Sequence, residues 1–171
     1  MKNTFKFLAI LVVFTLNSCD KAKELTDVTF STSLTKEFAI HINENQEYIS
    51  EEQILSLDNT DTHDYLDKLK NVQINKLTYK FKNFIGNEAC NMNVEIATDG
   101  NMFETKEFII KQAIDNGTIY EITDVAKINT MATALKNNKQ VSFTMEGEVF
   151  EGAADFDVEV TAEVEVVANP L

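Results

Sequence analysis

The sequence predicts an all-β domain: a β-sandwich, immunoglobulin-like or of a similar two-sheet form, with two short helices. Three observations carry this prediction. Apolar and polar residues alternate over long runs, most plainly at Val141, Phe143, Met145 and Val149 and again at Phe156, Val158, Val160, Ala162, Val164 and Val166. A period of two lays one face of a strand on a core. Gly86, Gly100, Gly117 and Gly152 fall between such runs, where turns are needed. Only two stretches carry helical spacing, and about seven or eight strands with two short helices suit two packed sheets better than a barrel or an α/β sheet.

The first strand runs through Val28, Phe30, Leu34, Phe38, Ile40 and Ile42. Thr32 and Lys36 interrupt its inward set, so the segment reads as one bent strand or as two with a break near Thr35. Residues 46–57 admit two readings. Ser50-Glu51-Glu52-Gln53 has the form of a capping box with Ile49 and Ile54 as its staple, whereas Ile49, Leu55 and Leu57 share one strand parity. The run is short for a helix, and the strand reading is preferred. Asn59 to Asn71 is expected to be helical, with Asp61 and Asp64 at its electropositive start and Tyr65, Leu66 and Leu69 as the apolar stripe.

Val72 to Phe84 is a strand whose alternation slips between Ile74 and Leu77, which predicts a bulge near Asn75; Lys76, Lys80 and Lys82 line its outer face. After a turn at Gly86-Asn87, Cys90, Met92, Val94 and Ile96 face inward on the return strand, and Asp99-Gly100 turns the chain again. Phe103–Ile114 and Thr118–Ile122 read as a hairpin closed by Asn116-Gly117, with apolar residues on both faces. Thr123 or Asp124 then caps a helix with Val125, Ile128, Ala132 and Leu135 on one side, ending near Asn137-Asn138. Two strands joined at Glu151-Gly152 form a final hairpin, and Gly147 within the first suggests a bulge. Helix 60–71 with hairpin 72–97 repeats, in layout, helix 124–137 with hairpin 140–167.

Charge narrows the function. The chain has 28 acidic residues against 15 basic ones, all of them lysine. Without arginine there is no bidentate fork for phosphates, and nucleic-acid binding depends on dense positive charge, so nucleic acid is not an expected partner.

The first nineteen residues read differently from the rest. Lys2 and Lys6 precede an apolar run, Phe7 to Leu16, of ten residues. That is the length of a signal-peptide core and too short for a bilayer span of about twenty residues. The run closes on Leu16-Asn17-Ser18-Cys19, which resembles the lipobox of bacterial lipoprotein precursors; Leu16, Ser18 and Cys19 fit the pattern and Asn17 is an uncommon occupant. The resemblance implies cleavage between Ser18 and Cys19, a covalent lipid on the Cys19 sulfur, and a membrane contact made through that lipid. It implies an address in the cell envelope; Asp20 resembles the inner-membrane retention signal of enteric bacteria, whereas acidic residues there accompany surface export in other lineages, and the favoured expectation is the outer membrane of a Gram-negative bacterium, facing the periplasm or the surface. Residues 1–18 are then a cleaved signal, 19–26 a lipidated tether and 27–168 one β-sandwich domain. Removing Lys2 and Lys6 with the signal leaves 13 lysines against the 28 acids, a formal charge of −15. Cys90 has no second cysteine to pair with once Cys19 is lipidated.

Reactive constellations are few. No nucleophile elbow, phosphate loop or zinc spacing occurs. His41 points outward on a strand and His63 lies in the first helical turn. Cys90 falls on core parity and reads as a buried thiol. Asp58, Asp61 and Asp64 recur at intervals that miss a calcium loop. On the final hairpin, Glu146 and Glu148 share an outer face with Asp155, Asp157, Glu159, Glu163 and Glu165, so like charges are expected nearly opposite one another. Hydration, the lysines of strand 72–84, or a divalent cation held by Glu146, Glu148, Asp155 and Asp157 would each offset that repulsion. No cofactor beyond the lipid is expected. The resulting expectation is a non-catalytic envelope lipoprotein whose sandwich serves as an interaction or structural module for another envelope protein. The alternative is a surface lipoprotein that binds a glycan or small ligand, although the chain has no tryptophan and most of its aromatics fall on inward parity.

Overall fold

The alternating runs pair as strands, but mostly with partners remote in the chain. The computed structural model describes residues 27–99 and 101–169. In order these form β1 (Val28–Ile42), β2 (Tyr48–Ser56), a 3-10 helix (His63–Lys68), β3 (Leu69–Gly86), β4 (Asn91–Thr98) and β5 (Asn101–Ile109). Then come α1 (Ile110–Asp115), β6 (Tyr120–Glu121), α2 (Val125–Asn138), β7 (Gln140–Glu151) and β8 (Ala154–Ala168). No helix among the described residues is long and apolar enough to cross a membrane.

Two four-stranded antiparallel sheets result, in the orders β1-β8-β3-β6 and β2-β7-β4-β5. First pairs with last, second with seventh, third with sixth and fourth with fifth. That is a long double-stranded ribbon rolled up on itself, so the two-sheet sandwich has jelly-roll order rather than immunoglobulin order. Consecutive strands β3 and β4 lie in different sheets, as do β7 and β8. The expected final hairpin is therefore absent, and the turn after Glu151 carries the chain across the core. Alternation reports which face of a strand is apolar; it does not report whether the next strand lies beside that face or opposite it. The apparent helix-and-hairpin repeat dissolves for the same reason, because β3 and β7 belong to opposite sheets.

β8 is the central strand of the first sheet. It pairs with β1 along all of β1 without a register shift and with β3 on its other edge, while Phe156, Val158, Val160, Ala162, Val164 and Val166 are buried. β1 is thus one continuous strand with no break near Thr35. Thr32 sits on its inward parity and is buried because its hydroxyl donates to Asp61 Oδ2 at 3.1 Å and accepts from Asn59 Nδ2 at 3.2 Å. The bulge foreseen in β3 is present, with Asn75 as the extra residue between the pairs Ile74–Val164 and Lys76–Glu163. β2 is a strand, as its parity suggests, with Ile49 and Leu55 buried.

The helices depart further from expectation. The one over 59–71 shrinks to the 3-10 turn His63–Lys68, since Leu69 already belongs to β3, and Tyr65 packs on Phe30 with ring centroids 5.1 Å apart. The Asn116-Gly117 hairpin does not form. β5 ends at Ile109, and the following residues are α1, which buries Ile110 and Ala113. Gly117 (φ +59°) closes that helix: Thr118 N–H reaches Ala113 O at 3.4 Å and Gly117 N–H reaches Ile114 O at 2.9 Å. This is a Schellman cap, which needs the same left-handed glycine as a hairpin turn. Ile110, Ala113 and Ile114, which fall on both strand parities, form one helical stripe on the core. α2 forms where expected, with the Asp124 carboxylate accepting from Lys127 N–H at 3.1 Å.

Gly147 lies in regular register opposite Ile49 and Val94, with no bulge at that point. Its role is close approach: an added Cβ would lie 2.5 Å from Met92 Cε and 2.7 Å from Asn93 O. The methionine can move and the backbone carbonyl cannot. Gly147→Ala is therefore expected to destabilise the domain by about 2 kcal/mol, read as a lower urea midpoint with an unchanged slope.

Candidate functional site

Ser18 and Cys19 lie outside the described residues. The four carboxylates considered as cation ligands do not converge. Glu146 and Glu148 stand on the outer face of the β2-β7-β4-β5 sheet, where Glu146 lies opposite Ser50 and Glu95. Asp155 and Asp157 stand on the outer face of the other sheet, beside His41 and Ala39 of β1. No group of three or more histidine, cysteine, aspartate or glutamate side chains among the described residues could hold a metal ion.

The acidic face of β8 meets the lysines of β3 instead. Glu159 accepts from Lys80 at 2.8 Å and from Lys82 at 2.9 Å, and Lys82 also pairs with Glu37, which lies directly opposite Glu159 on β1. Lys80 and Lys82 hold the Glu159 carboxyl below its ordinary range, and the Glu37 and Glu159 carboxylates push the Lys82 ammonium upward. Lys80 and Lys82 are thus the counter-charge for Glu159 and Glu37, while Lys76 makes no ion pair among the described residues. On the other sheet, Glu146 accepts from the Tyr48 hydroxyl at 2.7 Å and from Ser50 at 3.3 Å.

Both histidines are exposed and paired. His41 Nδ1 meets Asp155 Oδ1, and its Nε2 lies 3.0 Å from Asn43 Oδ1. Both ring nitrogens face acceptors, which favours the protonated ring, and the hydrogen bond to Asp155 raises its pKa above 6.5. His63 Nδ1 lies 2.7 Å from Asp58 Oδ1, with the same direction of shift. Cys90 is fully buried, and burial pushes its thiol pKa up, away from the reactive thiolate.

A cleft of about 640 Å³ opens at one end of the sandwich. The turn between β1 and β2 forms one wall, with Asn43, Gln46 and Glu47; Asn87 from the β3–β4 turn and Phe150 and Gly152 from the β7–β8 end form the other. The turns are tied together. Asn43 N–H donates to Gln46 Oε1 at 3.0 Å, Val149 N–H to Glu47 O at 2.9 Å, and Asn87 N–H to Ala153 O at 2.9 Å. Gly152 (φ +83°) packs so closely on the β3–β4 turn that a Cβ there would lie 3.1 Å from both Asn87 Cβ and Cys90 Cα. The cleft sits at the Ile42 end of β1, and residue 27 lies at the opposite end, where Val28 pairs with Ala168.

Phe150 is the side chain at this site that the sequence reading did not single out. It is the extra residue of a bulge in β7, between the pairs Asn91–Glu151 and Met92–Val149, and it is 57% exposed. Its only sequence signal was a large aromatic on outward parity just before a glycine turn.

No family model matches the chain, and no curated protein matches it. Among solved structures it is similar to one of Desmodium yellow mottle tymovirus, with 8% identity and a TM-score of 0.45 over 82% of each chain. It is similar to the decameric BFDV capsid protein, with 9% identity and a TM-score of 0.45 over 81% of this chain and 99% of that one. A structure of turnip yellow mosaic virus shares 10% identity with a TM-score of 0.42, over 82% of this chain and 94% of the other. None of these carries a function across to this chain.

The His41 pair makes a testable pH dependence. A raised folded-state pKa means that the pair stabilises the fold fully below the unfolded value near 6.5 and that this contribution is lost as pH rises through the folded value. An NMR titration of the ring protons is expected to give a midpoint above 6.5 for His41 and to return it toward that value in Asp155→Asn. The acid-side counterpart is Glu159. Its lowered pKa stabilises the fold above the unfolded value of 4.5, and that contribution is lost as pH falls through the folded value. Glu159→Gln is therefore expected to lower the melting temperature slightly at neutral pH and to leave it unchanged in acid, read by melts across the range.

Proposed function

We propose that the chain is a lipid-anchored protein of the cell envelope whose β-sandwich works as a non-catalytic interaction or structural module. The observation that carries this reading is Leu16-Asn17-Ser18-Cys19 at the close of a ten-residue apolar run behind Lys2 and Lys6. The proposed product starts at Cys19 with lipid on its sulfur, held in the outer membrane of a Gram-negative bacterium. Two chains of lipid hold a protein on a membrane firmly, where one does so only marginally. Seven residues lie between Cys19 and Asp27, and the eight extended steps from one to the other reach at most about 28 Å. The anchor then lies within that reach of the Val28 end of β1, the end opposite the loops that follow Ile42. The groups best suited to chemistry are engaged otherwise: Cys90 is buried and both histidines are paired with aspartates, which supports a passive role.

Metabolic labelling with an alkyne fatty acid is expected to tag the wild-type chain and to leave Cys19→Ala unlabelled, and mass spectrometry is expected to find a mature terminus at an acylated Cys19. An unacylated mature terminus would overturn the anchor and the module reading together.

A further inference from the structure

We propose that the cleft between the β1–β2 and β7–β8 turns is a binding site for a neutral saccharide. The inference gives the interaction module its ligand and rests on that reading for its biological sense, though not for its geometry. Three observations lead to it. First, the cleft has the size of a ligand site, within the range of about 300–1,000 Å³. Its walls are pre-formed by the hydrogen bonds between turns and by the close packing of Gly152, so little ordering is left to be done on binding.

Second, two exposed aromatic rings flank it. Phe150 lines the cleft, and an adjoining hollow of about 500 Å³ shares Glu47, Val149 and Phe150 with it and adds Tyr48, which is 51% exposed. Elsewhere on the described surface the large exposed side chains are aliphatic or methionine, so these are the two strongly exposed rings and they stand together. A flat ring presents an apolar face to the C–H face of a pyranose. Phe150 follows Glu146 and Glu148 on the outward parity of β7.

Third, the polar lining suits hydroxyls and excludes anions. The lining residues include no lysine or histidine, and the carboxylates of Glu44, Glu47 and Glu151 would repel phosphate or carboxylate ligands. Those carboxylates have no hydrogen-bond partner among the described residues and remain available as acceptors, and the Asn87 amide N–H group is available as a donor. Vicinal hydroxyls donate and accept at once and can use both. Attraction of a cation would not single out this cleft, since carboxylates cover both outer faces of the sandwich; the paired rings do single it out.

The test is calorimetric titration of the full mature chain, kept in a detergent without a sugar headgroup, with neutral oligosaccharides of the maltose, cellulose, chitin and mannan series and with a lysine-rich peptide. At least one saccharide series is expected to bind. Phe150→Ala should weaken it about tenfold, Phe150→Tyr should retain it, and Val125→Ala, an exposed apolar residue of α2, should leave it unchanged. Phe150 is exposed, so melts of its variants should match wild type. Failure of every series to bind, binding undiminished in Phe150→Ala, or binding of the peptide alone would overturn the proposal. The titration does not depend on the lipid, so its failure is distinct from the failure of acylation at Cys19.

Discussion

The fold depends on β8 being held on three sides. Both of its edges are paired, with β1 and β3, and its inner face is buried against the opposite sheet. Burial supplies the strength. Each fully buried valine is worth roughly 1.5–3 kcal/mol, whereas an exposed ion pair contributes at most about 1 kcal/mol. The bridges from Lys80 and Lys82 to Glu159 therefore do not hold the sheet together. They allow a strand with acidic residues on its outer face to lie between two neighbours without stacking uncompensated charge, and they favour one register between β3 and β8.

Much of this was legible in the chain because a single rule governs it: residues on one parity of a strand are either all in or all out. Cys90 to Ile96 and Phe156 to Val166 obey it, Val28 to Ile42 departs from it at the exposed Lys36, and the slip at Asn75 betrays its bulge. What the rule omits is which strand is whose neighbour. The turns at Gly86-Asn87 and Glu151-Gly152 look like hairpin turns, yet each crosses between sheets, because a strand with one apolar face is satisfied equally by a partner beside it or across the core. Asn116-Gly117 misled for a different reason. A left-handed glycine ends helices as readily as it turns hairpins, and the six residues of α1 are too few to show a clear helical period. The cleft was illegible because it is made by three turns that meet only in space.

The two ends of the sandwich are chemically unlike. At the Val28 end the chain leaves toward residue 19, and the 3-10 turn and its asparagine–threonine network close the sheets: Asn59 Oδ1 accepts from Asp61 and Thr62 backbone N–H groups, and the buried Thr62 hydroxyl donates to Leu57 O. Asn59 and the buried Thr62 thus spend their polar groups on the turn itself. At the Ile42 end the turns are tied backbone to backbone, which leaves side chains such as Glu47 and Phe150 facing water.

The order β1-β8-β3-β6 carries a consequence for how the molecule comes into being. A polypeptide delivered amino end first presents β1 early, yet both long neighbours of β8 must wait for residues 154–168 before either can join a sheet through it. No partial sheet containing β1 can assemble along the way, and pairings at such sequence separation form slowly. The β2-β7-β4-β5 sheet needs nothing beyond Glu151, whereas the sheet that holds the amino-terminal strand closes only when the last strand has been made.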